Sequence, residues 1–241
     1  MITLYTVPRD FEPPFDLLQA NAIRSWLALT PTPQVILIGD NGIRNAAAQL
    51  GVQFSESDGD LPTVRHAIET AEEMAVHPVR CFLNTDNVLF PSFYEVLQPV
   101  LWQFEQFVCI GRRTNLDVEA RIDSTSREFA DEVEQRGTPG GWTGMDYFIY
   151  RGVSLSQDMP DFKIGADCYD NWIVREIAQS TTPLINVSEV LTVVHENHPP
   201  KPGLAMTEID RNHKLAKIDK RYGIKTANWR LVSTGLIGAD K

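Results

Sequence analysis

The feature that most restricts this chain is a regular alternation. Short apolar runs, each closed by a polar turn-forming cluster, alternate with segments whose apolar residues recur at helical spacing. Ile2 to Val7 reads as a buried strand. Phe15 to Leu29 reads as a helix, because Leu17, Leu18, Ile23, Trp26 and Leu27 share a face before Pro31 and Pro33 stop it. Gln34 to Ile38 is a second strand, ending in Gly39-Asp40-Asn41-Gly42. A helix over Ile43 to Leu50 and a short extended Val52-Gln53-Phe54 follow. Pro62 to Val76 is helical, and Val79 to Leu83 is a strand that delivers Asn84-Thr85-Asp86-Asn87. Strict β-α-β order favours a largely parallel sheet with right-handed crossovers, whose ligands sit beyond the carboxyl ends of the strands.

The later half repeats the pattern less regularly. Phe93 to Phe104 is a helix, Phe107 to Ile110 a strand ending in Gly111-Arg112-Arg113, and Ser124 to Gln135 an exposed helix of mixed charge. Gly137 to Gly144 is too glycine-rich for either element and is expected to be a mobile loop. Tyr147 to Tyr150, Leu184 to Asn186 and Val190 to Val194 read as strands, with helices over Cys168 to Gln179 and Thr207 to Tyr222. The stretch from Gly223 onward is left unplaced.

With 241 residues and 43% hydrophobic content, the chain can build one large core, and no linker, repeat or low-complexity run divides it. The expectation is one α/β domain over 1–241, in two halves over 1–111 and 112–222 with a tail over 223–241. A formal net charge of -10 opposes broad attraction to nucleic-acid phosphates or anionic lipids. The three cysteines, Cys81, Cys109 and Cys168, are too few and too scattered for a disulfide framework or a Cys-rich zinc site. No signal-like or membrane-spanning apolar run is visible, so a cytoplasmic location is expected.

Three segments carry chemistry. Asn84-Thr85-Asp86-Asn87 puts a carboxylate and two amides at a strand end, where Asp86 can either cap a turn or bind a hard cation. His195-Glu196-Asn197-His198 places two imidazoles three positions apart just after a strand, as ligands for a metal or phosphate or as a structural pair. In Asp167-Cys168-Tyr169-Asp170-Asn171-Trp172, Asp167 reads as a helix N-cap. Asp170 reads as a carboxylate that Tyr169 and Trp172 desolvate, a candidate general base. Desolvation raises its proton affinity and a helix N-terminus lowers it, so the sequence leaves the sign open. No P-loop, dinucleotide fingerprint or nucleophile elbow is present.

The ordered set Thr6-Val7-Pro8-Arg9, Ile38-Gly39-Asp40, Leu83-Asn84-Thr85-Asp86, Ile110-Gly111-Arg112-Arg113, Gly144-Met145-Asp146-Tyr147-Phe148, Ile164-Gly165 with Tyr169-Asp170-Asn171-Trp172, and His195-Glu196-Asn197-His198 resembles the nucleotide-diphospho-sugar transferases of GT-A fold. It is closest in pattern to poorly characterised members with an Asn-x-Asp strand end. The resemblance implies a glycosyltransferase, moving a hexosyl or pentosyl group from a nucleotide-diphosphate sugar to an acceptor hydroxyl on a glycan, lipid-linked glycan or small molecule. It implies that Thr6, Pro8, Arg9 and Asp40 hold the nucleotide, and that Asp86 binds Mn²⁺ or Mg²⁺ with His195 or His198 completing the site. Asn84 stands where the motif's first acid would be. Arg112, Arg113 and Lys201 are the implied neutralisers of the diphosphate, Asp146 the donor-sugar or acceptor contact, Trp142 a stacking residue and Asp170 the base of an inverting displacement. A sugar-phosphate nucleotidyltransferase and a non-catalytic nucleotide-sugar-binding protein are the alternatives. The first lacks its usual basic glycine-rich loop, since Phe11-Glu12-Pro13-Pro14 follows the first strand end.

Overall fold

The computed structural model describes residues 1–57, 62–198, 206–217 and 222–238. In chain order the elements are β1 (Ile2–Thr6), α1 (Phe15–Leu27), β2 (Gln34–Gly39), α2 (Asn41–Leu50), β3 (Gln53–Glu56), α3 (Val64–Met74), β4 (Val79–Leu83), β5 (Asn87–Leu89) and α4 (Phe93–Gln103). They continue with β6 (Phe107–Ile110), β7 (Thr114–Leu116), α5 (Arg127–Arg136), β8 (Thr138–Pro139), β9 (Tyr147–Arg151), α6 (Tyr169–Gln179), β10 (Leu184–Asn186) and β11 (Val193–Glu196). α7 (Met206–Ala216), a 3₁₀ turn (Ile224–Thr226), β12 (Trp229–Val232) and β13 (Gly235–Gly238) follow.

Nine strands form one sheet in the order β13-β12-β10-β6-β9-β4-β1-β2-β3. The pairs among β1, β2, β3 and β4 are parallel, as are β6/β10 and β10/β12. β9 runs antiparallel between β4 and β6, and β13 closes the edge as an antiparallel hairpin with β12. The expected α/β domain with a mostly parallel central sheet flanked by helices is therefore the observed one.

Side chains alternate across the sheet, which sorts the core into two layers. Leu4, Leu37, Cys81, Leu83, Phe107, Cys109, Tyr147 and Ile149 face one cluster, with Ala22, Ile23 and Trp26 of α1, Ile43 and Ala47 of α2, and Phe93 and Leu97 of α4. Tyr5, Ile36, Ile38, Phe82, Val108, Ile110, Phe148 and Tyr150 face the other, with Val64 and Ile68 of α3 and Trp172, Ile173 and Ile177 of α6. Each fully buried large apolar side chain contributes about 1.5–3 kcal/mol, so the layers rather than helix propensity fix the elements.

Chain order and spatial order diverge at one place that matters. The chain steps outward through β1, β2 and β3, then returns to lay β4 on the other side of β1. Loops leaving β1 and β4 therefore separate in direction and leave a crevice at the carboxyl end of the sheet. Thr6 and Thr85, at those two strand ends, join across it through their hydroxyls at 2.8 Å.

A second sheet, β5-β11-β7-β8, stands beside this edge. It accounts for several departures from the sequence reading. Asp86 and Asn87 do not merely end a strand: the chain turns and starts β5, antiparallel to β11. The apolar stretch expected as a strand from Val190 begins at Val193 and runs through Glu196, so His195 lies inside a strand rather than after one. The glycine-rich stretch is not wholly a loop, since Thr138 and Pro139 pair with β7. Asp167 is not the N-cap of α6. Cys168 holds that position with φ 81°, and the Asp167 carbonyl accepts instead from Asn212 Nδ2.

Candidate functional site

An open cleft of about 1230 Å³ occupies the crevice at the strand ends. Its walls include Thr6, Pro8, Arg9, Asp40, Asn84, Asp86, Arg113, Asp146, Asp170, His195 and His198. Three segments far apart in sequence, carrying Asp86, the two histidines and Asp170, thus reach one cavity.

The first group is built by the small sheet. His195 is in register with Asn87 on β5 and with Asn115 on β7, and the Glu196 amide donates to the Asp86 carbonyl at 3.0 Å. The buried indole of Trp26 donates to the Asn87 carbonyl at 2.7 Å, which anchors β5 to α1. This ladder sets His195 Nε2 at 3.7 Å and His198 Nε2 at 3.2 Å from Asp86 Oδ2. Burial pushes the Asp86 carboxyl up, but the hydrogen bond from His198 and the charges of His195, His198 and Arg113 outweigh it and hold it below its ordinary value. Burial lowers the His195 imidazole more than Asp86 raises it, so its neutral, ligand-competent form is favoured.

These residues fit a cation. One donor atom from each of Asp86, His195 and His198 lies within 4.8 Å of the others. Asp86 Oδ1 and His195 Nδ1 are buried without a hydrogen-bond partner among the described residues, and an unmatched buried polar group costs about 1–3 kcal/mol. Behind them Glu196, fully buried, accepts from Asn21 Nδ2 at 2.9 Å, and burial raises its carboxyl to about 8.

The second group pairs Arg113 with Asp146. Arg113 NH1 contacts Asp146 Oδ2 at 2.6 Å, while its Nε donates to Asn115 Oδ1 at 2.9 Å. The Asp146 carbonyl accepts from the Asn84 amide at 2.9 Å and from Asn87 Nδ2 at 3.2 Å, tying the residue to the Asp86 turn. Burial raises the Asp146 carboxyl above its usual value, Arg113 opposes this and the negative charge of Asp86 adds to it.

Asp170 forms the third. It sits in the first turn of α6, and its carboxylate accepts from the Asn171 amide at 2.8 Å and the Met145 amide at 3.3 Å. The competition left open by the sequence is resolved by burial: the carboxyl is pushed up to about 6, with both backbone hydrogen bonds acting the other way and Asp146 adding to the rise.

On the β1 side, Arg9 lies over the Phe15 ring at 4.4 Å, and the same ring meets His198 edge-on at 5.4 Å. Gln19 pins the loop by accepting from the Arg9 amide at 2.7 Å and donating to the Arg9 carbonyl at 3.0 Å. Asp40 caps α2 through Oδ1, accepting from the amides of Gly42 and Ile43. Phe15, Gln19 and Asn115 had no place among the sequence candidates, although an aromatic about three turns before a buried tryptophan is visible in α1.

One expected neutraliser of the diphosphate, Arg112, is not brought to the cleft. The Arg112 guanidinium donates to the Gly140 carbonyl at 3.0 and 2.8 Å and lies 4.2 Å over the Trp142 ring, away from the cleft walls. Lys201 lies outside the described residues. Trp142 packs between Arg112 and Lys225, whose Nζ is 5.1 Å from the ring, so it anchors the loop in this conformation. Among the described residues, no helix is long and apolar enough to cross a membrane.

No protein-family model matches the chain, and no curated protein matches it by sequence. Solved structures do. S. aureus TarS residues 1–349, in complex with UDP-GlcNAc, superposes with a TM-score of 0.60 at 9% identity, over 89% of this chain and 65% of that one. A longer S. aureus TarS structure gives 0.53 at 12% identity, over 83% of this chain and 37% of that one. The chain thus spans less than two thirds of either, and it has the fold of the GT-A nucleotide-sugar glycosyltransferases.

Proposed function

We propose that this chain transfers a glycosyl group from a nucleoside-diphosphate sugar to an acceptor hydroxyl, with inversion at the anomeric carbon. The observation that carries the reading is convergence: Asp86 with His195 and His198, Arg113 with Asp146, and Asp170 all line one cleft at the switch point of the sheet. TarS, which shares the fold, is a UDP-GlcNAc complex, and this makes UDP-GlcNAc the first donor to test.

The β1 and β2 ends, with Thr6, Pro8, Arg9 and Asp40, line the cleft, and the nucleoside is assigned to them. Asp86, His195 and His198 would hold a divalent cation, which when bound supplies charge to the leaving diphosphate. Arg113 adds fixed positive charge on that side. Asp146 holds the Arg113 fork and faces the sugar. Asp170 takes the proton of the attacking hydroxyl as the new C–O bond forms and the anomeric bond to the diphosphate breaks. A carboxyl near 6 is ionised at neutral pH yet more basic than a solvated one, which suits that transfer.

The test is release of nucleoside diphosphate from a panel of nucleotide sugars by protein supplied with Mn²⁺. Turnover of one donor, lost in Asp86→Ala together with donor binding, is the expected result. Silence and absence of binding across the whole panel would refute the reading.

A further inference from the structure

We infer that Asp86, His195 and His198 form a resident transition-metal site, filled before any nucleotide arrives and selective for Zn²⁺-like ions over Mg²⁺. The inference rests on the reading of these residues as the cation site of the proposed transferase, and goes beyond it in naming the ion class and the order of binding.

Donor chemistry is the first argument. Two of the three donors are imidazole nitrogens, and Asn84 stands where a second carboxylate would have made the set oxygen-rich. Mg²⁺ takes oxygen ligands and gives up water reluctantly, relying on one or two carboxylates and on substrate phosphates. Imidazole favours first-row transition metals, with affinity rising from Mn²⁺ towards Cu²⁺ and Zn²⁺. Two histidines and one carboxylate, with a further position open to the cleft, are the ligand count of a catalytic zinc centre.

Geometry is the second. Ligands about 2.0–2.2 Å from one ion stand about 3–3.5 Å apart at tetrahedral or octahedral angles. His198 Nε2 and His195 Nε2 are 3.2 and 3.7 Å from Asp86 Oδ2, so the pairs to Asp86 need only tenths of an ångström of adjustment.

Preorganisation is the third. His195 is only 7% exposed and held in a strand, in register with Asn87 next to Asp86. Neither of its ring nitrogens makes a hydrogen bond among the described residues: Nε2 stands beyond bonding distance of Asp86, and Nδ1 is buried without a partner. Asp86 Oδ1 is likewise buried and unpaired among the described residues. The protein backbone has therefore already placed these donors, and no ligand is needed to assemble them. With three protein donors, diphosphate oxygens are not required for affinity.

The experiment uses the full chain, stripped with a chelator and free of nucleotide. Zn²⁺, Mn²⁺ and Mg²⁺ are titrated by calorimetry with a competing chelator, and Co²⁺ is added as a spectroscopic probe. The expected result is one Zn²⁺ per chain, bound roughly a hundredfold or more tighter than Mn²⁺, with Mg²⁺ weakest. Co²⁺ should give the strong visible absorption of a low-coordinate site, and that band should be lost in His198→Ala. Because His195 is buried, His198→Ala is the primary variant, with circular dichroism to show that it folds.

Binding of any ion only after uridine diphosphate is added, or Mg²⁺ binding as tightly as Mn²⁺, would overturn the inference while leaving the proposed transfer standing. A silent donor panel with tight nucleotide-free Zn²⁺ binding would do the reverse. A folded protein that binds none of the ions overturns it as well.

Discussion

Asp170→Asn should make the protein more stable while removing transfer. The folded carboxyl lies at about 6, against an ordinary value of 3.8, so ionising it in the fold is disfavoured by about two powers of ten. That difference corresponds to about 3 kcal/mol. The sign follows from linkage. A carboxyl whose folded value is raised holds its proton more tightly in the folded state, so its ionisation destabilises the fold fully above about pH 6 and not at all below about 3.8. Asparagine removes the charge but offers one oxygen where the Asn171 and Met145 amides use two, so the longer bond, from Met145, is lost. The lost bond and the buried NH₂ group take up part of the gain, so about 1–2 kcal/mol of it should be observed at pH 7.5. Urea denaturation of both proteins at pH 7.5 and pH 4 measures it, and the difference should shrink to near zero at the lower pH. A variant that is less stable at pH 7.5, or a gain that does not depend on pH, would refute the claim that burial dominates at this residue.

Further outcomes are expected on the same footing. The pH profile of kcat/KM should fall about tenfold per unit below pH 6 as Asp170 gains its proton, and a profile flat to pH 4.5 would remove it as the base. Arg113→Met leaves Asp146 buried without its partner and should lower urea-determined stability by about 2–3 kcal/mol. This is less than for a fully buried pair, because the Arg113 side chain is 33% exposed. Trp26→Phe loses the indole bond to Asn87 and leaves a gap under β5, so stability should fall by about 2–3 kcal/mol and cation affinity with it; unchanged affinity would show that α1 does not position Asp86.

The parts of the fold that the sequence shows are those governed by local pattern. β1, β2, β4 and β6 are apolar runs bounded by turn residues, and α1, α3 and α6 have helical-period faces, so β-α-β order and the ligand edge follow directly. The small sheet is invisible to such reasoning. β5, β7 and β8 are two or three residues long, too short to show alternation; β5 and β7 exist through pairing with β11, and β8 through pairing with β7. That pairing is what brings His198 to Asp86 across 112 positions of sequence. The choice between Arg112 and Arg113, which lie between β6 and β7, depends on long-range partners: Arg113 reaches Asp146, while Arg112 turns to Gly140. β12 and β13 did carry a signal: Trp229-Arg230-Leu231-Val232 and Leu236-Ile237 flank a Ser233-Thr234-Gly235 turn, the mark of a hairpin. The shift at Asp170 was unreadable because two opposing effects of similar size meet there, and only the actual burial decides between them.

The most direct trial of the central claim is a crystal structure of the chain with Mn²⁺ and uridine diphosphate. The expected map shows the cation on Asp86, His195 and His198, the diphosphate between it and Arg113, and the base near Asp40, with Asp170 across the cleft. Density for the nucleotide elsewhere on the protein, or a cation that ignores the two histidines, would contradict it.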